Sequence, residues 1–174
     1  MIEKILIPLD GSSHADRAAA LGLDLAAKYQ ARVILLNVFS RTDEDAIRHL
    51  AEGEHMIEAH RGAYGDALST LPVEGVFRSS YLEQEWLPVS VYEQIGNAIM
   101  EHARQEALKK GVADLETRVE GGNPADRIVE LAKSEGADLI VMGCRGLGRL
   151  KSLIMGSVSH KVSQVSPCSY LVVK

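Results

Sequence analysis

The run Arg32 to Val38 (RVILLNV) is apolar at neighbouring positions, not merely at every second one. A strand with one wet face alternates. A strand apolar on both faces belongs in the middle of a parallel sheet that is covered above and below. This segment therefore points to a layered α/β architecture, and the rest of the chain can be tested against it. Ile5-Leu6-Ile7-Pro8-Leu9 is a second short apolar run, bounded by Asp10-Gly11-Ser12-Ser13, and reads as a buried strand entering a turn. Ser13 with Asp16 three positions on predicts a capping box. Ala15, Ala18, Ala19, Gly22, Leu25, Ala26 and Tyr29 then recur at helical spacing, with side chains small enough to let a helix lie close to a sheet.

The second half repeats the alternation. A helix is expected from Glu93 to Lys110 through Ile95, Ile99 and Ala103, ending at Gly111, and a strand from Leu115 to Val119. Asn123-Pro124 opens another helix, Asn as N-cap and Pro at the first helical position. Its stripe is Ala125, Ile128, Val129 and Ala132, and Gly136 ends it. Asp138 to Met142 (DLIVM) is a strand; Gly156 or Ser157 starts a last helix through Val158, Val162 and Val165; Tyr170 to Val173 closes the chain as a strand. Strict alternation implies a parallel sheet with right-handed crossovers and helices on both faces. The chain of 174 residues reads as a single domain, 1–174, with an insertion at about 40–92. In that insertion Asp43 to His60 is expected to be a charged helix. Gly62, Gly65, Pro72, Gly75 and Pro88 break the stretch after it, and Trp86 and Tyr92 anchor the insertion to the core.

Charge and cysteine usage exclude several classes. The net charge of −5 speaks against a general binder of nucleic acid or of a membrane surface. No apolar stretch approaches the roughly 18–20 residues that span a bilayer, and MIEKILIPLD lacks the layout of a signal peptide. Two cysteines, Cys144 and Cys168, make neither a secreted disulfide framework nor a C-x-x-C pair, so a cytoplasmic location is expected. His49, His55 and His60 do not share one metal site on a helix: His49 and His60 lie about 16 Å apart along the axis and His55 points elsewhere. No Ser-His-Asp order and no paired carboxylates stand out.

Chemistry concentrates in Gly143-Cys144-Arg145-Gly146-Leu147-Gly148-Arg149-Leu150-Lys151-Ser152-Leu153-Ile154-Met155-Gly156-Ser157-Val158, which leaves the carboxyl end of a strand and enters a helix. Ligands of doubly wound sheets bind there. Glycines let the backbone approach phosphate oxygens. The amides at Gly156, Ser157 and Val158 offer a helix N-terminus to an anion, and Arg145, Arg149 and Lys151 add positive charge. The set fits a polyphosphate. It is not a P-loop, since Gly-x-x-x-x-Gly-Lys-Ser/Thr is missing, and the first strand lacks the G-x-G-x-x-G of a dinucleotide site.

Gly143-x2-Gly146-x9-Gly156-Ser157 resembles the G-x2-G-x9-G-[S/T] motif of ATP-binding universal stress proteins. The opening strand running into Pro8-Leu9-Asp10-Gly11-Ser12, the Ala-rich helix after it, Leu35-Leu36-Asn37-Val38 and the Pro167-Cys168 pair before an apolar strand are similar to theirs too, so the likeness covers about residues 1–38 and 93–174. The resemblance implies a five-stranded parallel, doubly wound, Rossmann-like sheet of order 3-2-1-4-5, of the adenine-nucleotide α-hydrolase-like kind. It places a nucleoside near Pro8, Leu9, Asp10 and Val38, with Val38 main-chain groups reading adenine. It counts Met142, at the end of the DLIVM strand, among the nucleotide-binding residues. Gly143, Arg145 and Gly146 meet ribose and phosphate, and Gly156, Ser157 and Val158 hold the phosphates.

The same resemblance implies ATP with Mg²⁺ or Mn²⁺ as ligand, a homodimer paired through the C-terminal strand, a regulatory protein as partner, and at most slow hydrolysis or autophosphorylation. Three alternatives stay open: a nucleotide-free dimeric interaction module, a binder of cyclic AMP or AMP, and an enzyme related to nucleotidyl transferases or electron-transfer flavoproteins. The missing H-x-G-H signature counts against the nucleotidyl transferases.

Overall fold

The computed structural model describes residues 1–40, 89–147 and 155–174. In chain order the elements are β1 (Lys4–Pro8), α1 (Ser13–Tyr29), β2 (Arg32–Phe39), α2 (Val89–Lys109), β3 (Leu115–Gly121), α3 (Pro124–Glu135), β4 (Leu139–Gly143), α4 (Ser157–Val165) and β5 (Ser169–Val173). The strands form one sheet of order β3-β2-β1-β4-β5, parallel at every pairing. This is the architecture and order expected.

Consecutive residues of the central strands feed two different cores. Ile5, Ile7, Val33, Leu35, Leu139 and Val141 pack with α1 and α2 residues such as Ala18, Leu23, Ile95 and Ile99. Leu6, Ile34, Leu36, Ile140 and Met142 pack with Ala125, Ile128, Leu131 and Ala132 of α3 and Val162 of α4. Period-two alternation therefore coexists with uninterrupted apolarity, because both faces are covered. Gly22 brings α1 close to the sheet: a Cβ there would lie 2.6 Å from Ile7 Cδ1.

Several boundaries differ from expectation, each for a local reason. The cap of α1 is Ser12, not Ser13: its hydroxyl accepts the Ala15 N–H at 3.3 Å, and Gly11, at φ 83°, turns the chain one residue earlier. Leu23, rather than Leu25 or Tyr29, is the buried large residue of α1. On α3, Leu131 joins the buried stripe while Val129 is half-buried. The strand predicted to end at Val38 runs to Phe39, whose carbonyl accepts the Gly122 N–H at 3.0 Å. The helix expected from Glu93 begins at Val89, so Tyr92 lies in its first turn and not in the insertion. Tyr92 is 1% exposed and its ring stacks on Phe39 at 5.6 Å. The readings at Asp43–His60, the three histidines there, Trp86, and Arg149 and Lys151 lie outside the described residues. The caps of α3 are as expected: Asn123 accepts the Asp126 N–H, and Gly136 closes the helix at φ 62°.

Candidate functional site

β1 and β4 are neighbours, yet the chain leaves them toward opposite faces. After β1 it enters α1, which packs in the core with α2; after β4 it reaches α4, which packs in the core with α3. This divergence opens a crevice at the carboxyl ends of both strands. Asp10 stands on one wall. Its Oδ1 accepts the Ser12 N–H at 3.0 Å, and its Oδ2 accepts the Leu147 N–H from the other wall at 3.2 Å.

The three motif glycines serve different needs. At Gly143 a Cβ would lie 2.7 Å from the His14 carbonyl carbon and 2.9 Å from the Ala15 nitrogen, so α1's first turn rests on it. At Gly146 a Cβ would lie 2.2 Å from Asp10 Oδ2. At Gly156 the nearest described atom would be Arg145 Cα at 3.4 Å, with Gly146 N at 3.9 Å. The first two glycines are required by the protein's own packing. The third has ordinary room among the described residues, and its φ of −73° suits any residue.

Gly156 is the N-cap of α4 and provides no side-chain hydrogen bond to the helix. Its own N–H is donated to the Cys144 carbonyl at 2.7 Å, which brings the two halves of the motif together. Ser157 follows as the first helical residue and is exposed. The amides that open α4 therefore stand beside Gly146 and the Asp10 wall, with a helix dipole behind them.

Buried polar groups hold this arrangement from behind. Ser159, 3% exposed, donates its hydroxyl to the Gly143 carbonyl at 2.8 Å. The Tyr170 hydroxyl donates to the Ser159 carbonyl at 3.0 Å, and burial pushes its pKa up to about 12, so it stays a donor at any ordinary pH. The Cys144 N–H bonds the Val173 carbonyl at 2.7 Å, tying the loop to β5. On the other wall Asn37, 6% exposed, donates its amide to the Leu9 carbonyl at 2.8 Å.

Of the residues singled out in the sequence, the structure gathers Asp10, Arg145, Gly146, Gly156 and Ser157 around the crevice, with Pro8 and Gly143 at the strand ends beneath, while the Leu9 side chain is buried in the core shared by α1 and α2. Met142 and Val158 direct their side chains into the α3–α4 core. Val38 packs against that core too, but its main chain points elsewhere. Leu36's carbonyl receives the Leu9 N–H, and Phe39's carbonyl receives the Gly122 N–H from β3. Main-chain groups alternate along a strand. The N–H and C=O of Val38 thus face the β1 side, beyond the point where β1 has turned away.

Sequence reasoning passed over Ser12, Ser159, Tyr170 and the side chain of Asn37. Asn37 carried a readable signal, a lone amide inside an otherwise apolar run. The other three are small or amphipathic residues without such contrast.

The profile of the universal stress protein family matches residues 1–174. The chain belongs to the universal stress protein family. A curated relative, universal stress protein YxiE of Bacillus subtilis, is 31% identical over 176 residues, covering 100% of both chains. Among solved structures, the universal stress protein UspA from Lactobacillus plantarum superposes with a TM-score of 0.66 at 20% identity, covering 99% of this chain and 98% of that one. A universal stress protein solved in complex with cAMP superposes with a TM-score of 0.60 at 24% identity, covering 99% and 97%. These likenesses establish the fold of this universal stress protein. No helix among its described residues is long and apolar enough to cross a membrane, and no group of three or more His, Cys, Asp or Glu among them could hold a metal ion.

Proposed function

We propose that this universal stress protein binds ATP in the crevice between β1 and β4, and that nucleotide occupancy regulates its association with a partner protein. The observation that carries the reading is the juxtaposition of Gly146, Gly156 and Asp10, two glycines separated by nine residues and a carboxylate from the opposite wall. It places the amides at the head of α4, without a capping side chain from Gly156, beside the loop that follows β4. An anion suits that helix end. Room for a Cβ at Gly156 is what a site for phosphate oxygens leaves when the ligand, rather than the protein, is to fill it.

In this reading Pro8, Leu9 and Asp10 flank the nucleoside, and the main chain of Val38 reads the adenine edge with one donor and one acceptor. Arg145 and Gly146 meet ribose and the first phosphate. Ser157 and Val158 hold the remaining phosphates through their amides, while Gly156, whose own N–H is engaged by the Cys144 carbonyl, contributes the room beside them. Mg²⁺ or Mn²⁺ would come with the triphosphate and take most of its ligands from phosphate oxygens and water, since Asp10 is the carboxylate that the described residues bring to the crevice. Both oxygens of that carboxylate already accept main-chain N–H groups. Asp10 is thus a holder of the loop and not a poised general base, which favours occupancy over rapid hydrolysis.

The apolar edge strand β5 is the proposed contact of a homodimer. The opposite edge, β3, carries Glu116, Arg118 and Glu120 and resists strand pairing.

A second reading, an AMP or cyclic AMP binder, draws on the cAMP complex of the similarly folded protein. The two part in one experiment: denature the purified protein, identify any released nucleotide by mass, then titrate apo protein with ATP, AMP and cyclic AMP with and without Mg²⁺. Micromolar ATP binding that needs Mg²⁺ supports the first reading. Equal affinity for the monophosphates supports the second. No uptake of any of them overturns both.

A further inference from the structure

We infer that the side chain of Asn37 opens the base-reading edge of this site, by engaging the Leu9 carbonyl and so releasing the Val38 main-chain N–H for a ligand. The inference rests on the nucleotide reading for its functional half and on hydrogen-bond register for its structural half.

The β1–β2 register pairs Pro8 with Leu36 and so sets Leu9 opposite Asn37. In a parallel ladder a residue donates to the partner residue before its opposite and accepts from the one after it. Leu9 obeys the first rule: its N–H meets the Leu36 carbonyl at 2.8 Å. The second rule offers its carbonyl to the Val38 N–H. That carbonyl takes the Asn37 Nδ2 at 2.8 Å, and no main-chain bond from Val38 to Leu9 accompanies it among the described residues. The ladder ends one rung early, at the point where the chain turns into Asp10.

The amide cannot easily swing away. It is buried, and a buried amide without a partner is costly. A carbonyl needs a donor, which fixes Nδ2 toward Leu9. On its other side α2 presses a glycine against it: a Cβ at Gly96 would lie 2.6 Å from Asn37 Oδ1 and 2.7 Å from Val119 Cγ1. One buried side chain thus joins β1's turn, β2, β3 and α2, and leaves a main-chain donor and acceptor side by side at Val38. The edge of an adenine ring presents the complementary pair, whereas guanine presents the reverse. Asn37 is on this account a positioning residue for base selection that touches no ligand itself.

The test uses full-length protein and Asn37→Leu, which keeps the shape and removes the donor. Amide hydrogen exchange of Val38 is followed by NMR without nucleotide. ATP, GTP and inorganic tripolyphosphate are then titrated with Mg²⁺. In Asn37→Leu the Val38 N–H should turn to the Leu9 carbonyl and exchange roughly tenfold more slowly. ATP affinity should fall about tenfold, the worth of one hydrogen bond. Tripolyphosphate affinity should hold, and the preference for ATP over GTP should shrink. Unchanged Val38 exchange overturns the inference, as does slower exchange with an unaltered ATP-to-GTP ratio. Wild-type protein that binds no adenine nucleotide would defeat the nucleotide reading instead, and the exchange rate of Val38 would still decide what Asn37 does to the ladder. Should Asn37→Leu fail to fold, Asn37→Ala, smaller and equally without a donor, carries the same measurements.

Discussion

The Asp10 carboxylate hydrogen-bonds the main-chain N–H of Leu147 at 3.2 Å, across 137 residues of sequence. It joins the end of β1 to the glycine loop after β4, and Gly146 provides the gap through which it reaches. Asp10→Ala removes acceptors from two N–H groups while leaving both cores intact. Hydrogen bonds to charged groups contribute about 1.5–3 kcal/mol, and this pair, half-buried, should cost toward the lower end. Thermal unfolding should therefore fall by a few degrees, and calorimetric titration should show ATP binding lost. Wild-type affinity in Asp10→Ala would remove the carboxylate from the site.

The glycines make a sharper comparison, since the three differ in what surrounds them. Gly143→Ala drives a Cβ against backbone atoms of α1's first turn, which cannot rotate away, and should destabilise the fold by about 2–3 kcal/mol. Gly156→Ala meets nothing closer than 3.4 Å among the described residues and should lose no more than about 1 kcal/mol, the cost of a poorer N-cap. Gly156→Val should stay folded, losing about 1 kcal/mol at the cap of α4, and yet bind ATP at least roughly tenfold more weakly, because its branched side chain occupies the place of phosphate oxygens. Melting curves and titrations on the three variants separate packing from binding. If Gly143→Ala were neutral to stability, the packing account would be wrong.

The contrast also shows how far the sequence could be read. The sheet order was legible because apolar runs such as Arg32–Val38 and Leu139–Met142 serve two cores at once, and few architectures cover both faces of a strand. The neighbouring of Asp10 with the glycine loop was legible through the resemblance alone; nothing in the local sequence relates positions 10 and 147. The separate duties of Gly143, Gly146 and Gly156 were not legible, because a glycine letter does not say whether protein or ligand fills the space beside it. Ser12 was displaced by Ser13 as the expected cap for a similar reason. Two adjacent serines offer the same hydroxyl, and the positive φ of Gly11 decides which one meets the helix.

Acid should weaken the fold at its amino-terminal sheet end. Asp138 Oδ2 accepts the N–H groups of Glu3 and Lys4 at 2.8 and 2.9 Å, and these bonds hold its carboxyl below the ordinary aspartate range. Glu116 is lowered chiefly by its hydrogen bond with Arg118, and Glu135 by its own with the same guanidinium. A folded pKa below the unfolded one adds stability that is complete above the unfolded value, near 4, and disappears as pH falls through the folded value. Asp138→Asn, which keeps an acceptor but not the charge, should therefore melt below wild type at pH 7. The gap should narrow steadily below about pH 4. A gap independent of pH would show that the charge contributes nothing.

The two sheet edges predict which one associates. β3 presents Glu116, Arg118 and Glu120 at alternate positions, and two of these are already engaged in ion pairs with Arg32 and Glu135. β5 presents an exposed Ser169 and then Tyr170-Leu171-Val172-Val173 with half-buried side chains, and an edge that β4 pairs on one side. An apolar edge strand invites a second strand, and a lysine on it is a common means of preventing that. Val172 belongs to neither core cluster, so Val172→Lys should leave the melting of the monomer nearly unchanged while converting the proposed dimer to monomer in sedimentation. The matching change on the other edge, Thr117→Lys, should leave the sedimentation coefficient where it was. Because the Cys144 N–H bonds the Val173 carbonyl, the glycine loop and this edge share a strand end, and Val172→Lys offers a way to ask whether nucleotide affinity depends on assembly. A dimer that survives Val172→Lys but dissolves with Thr117→Lys would place the interface on β3 instead.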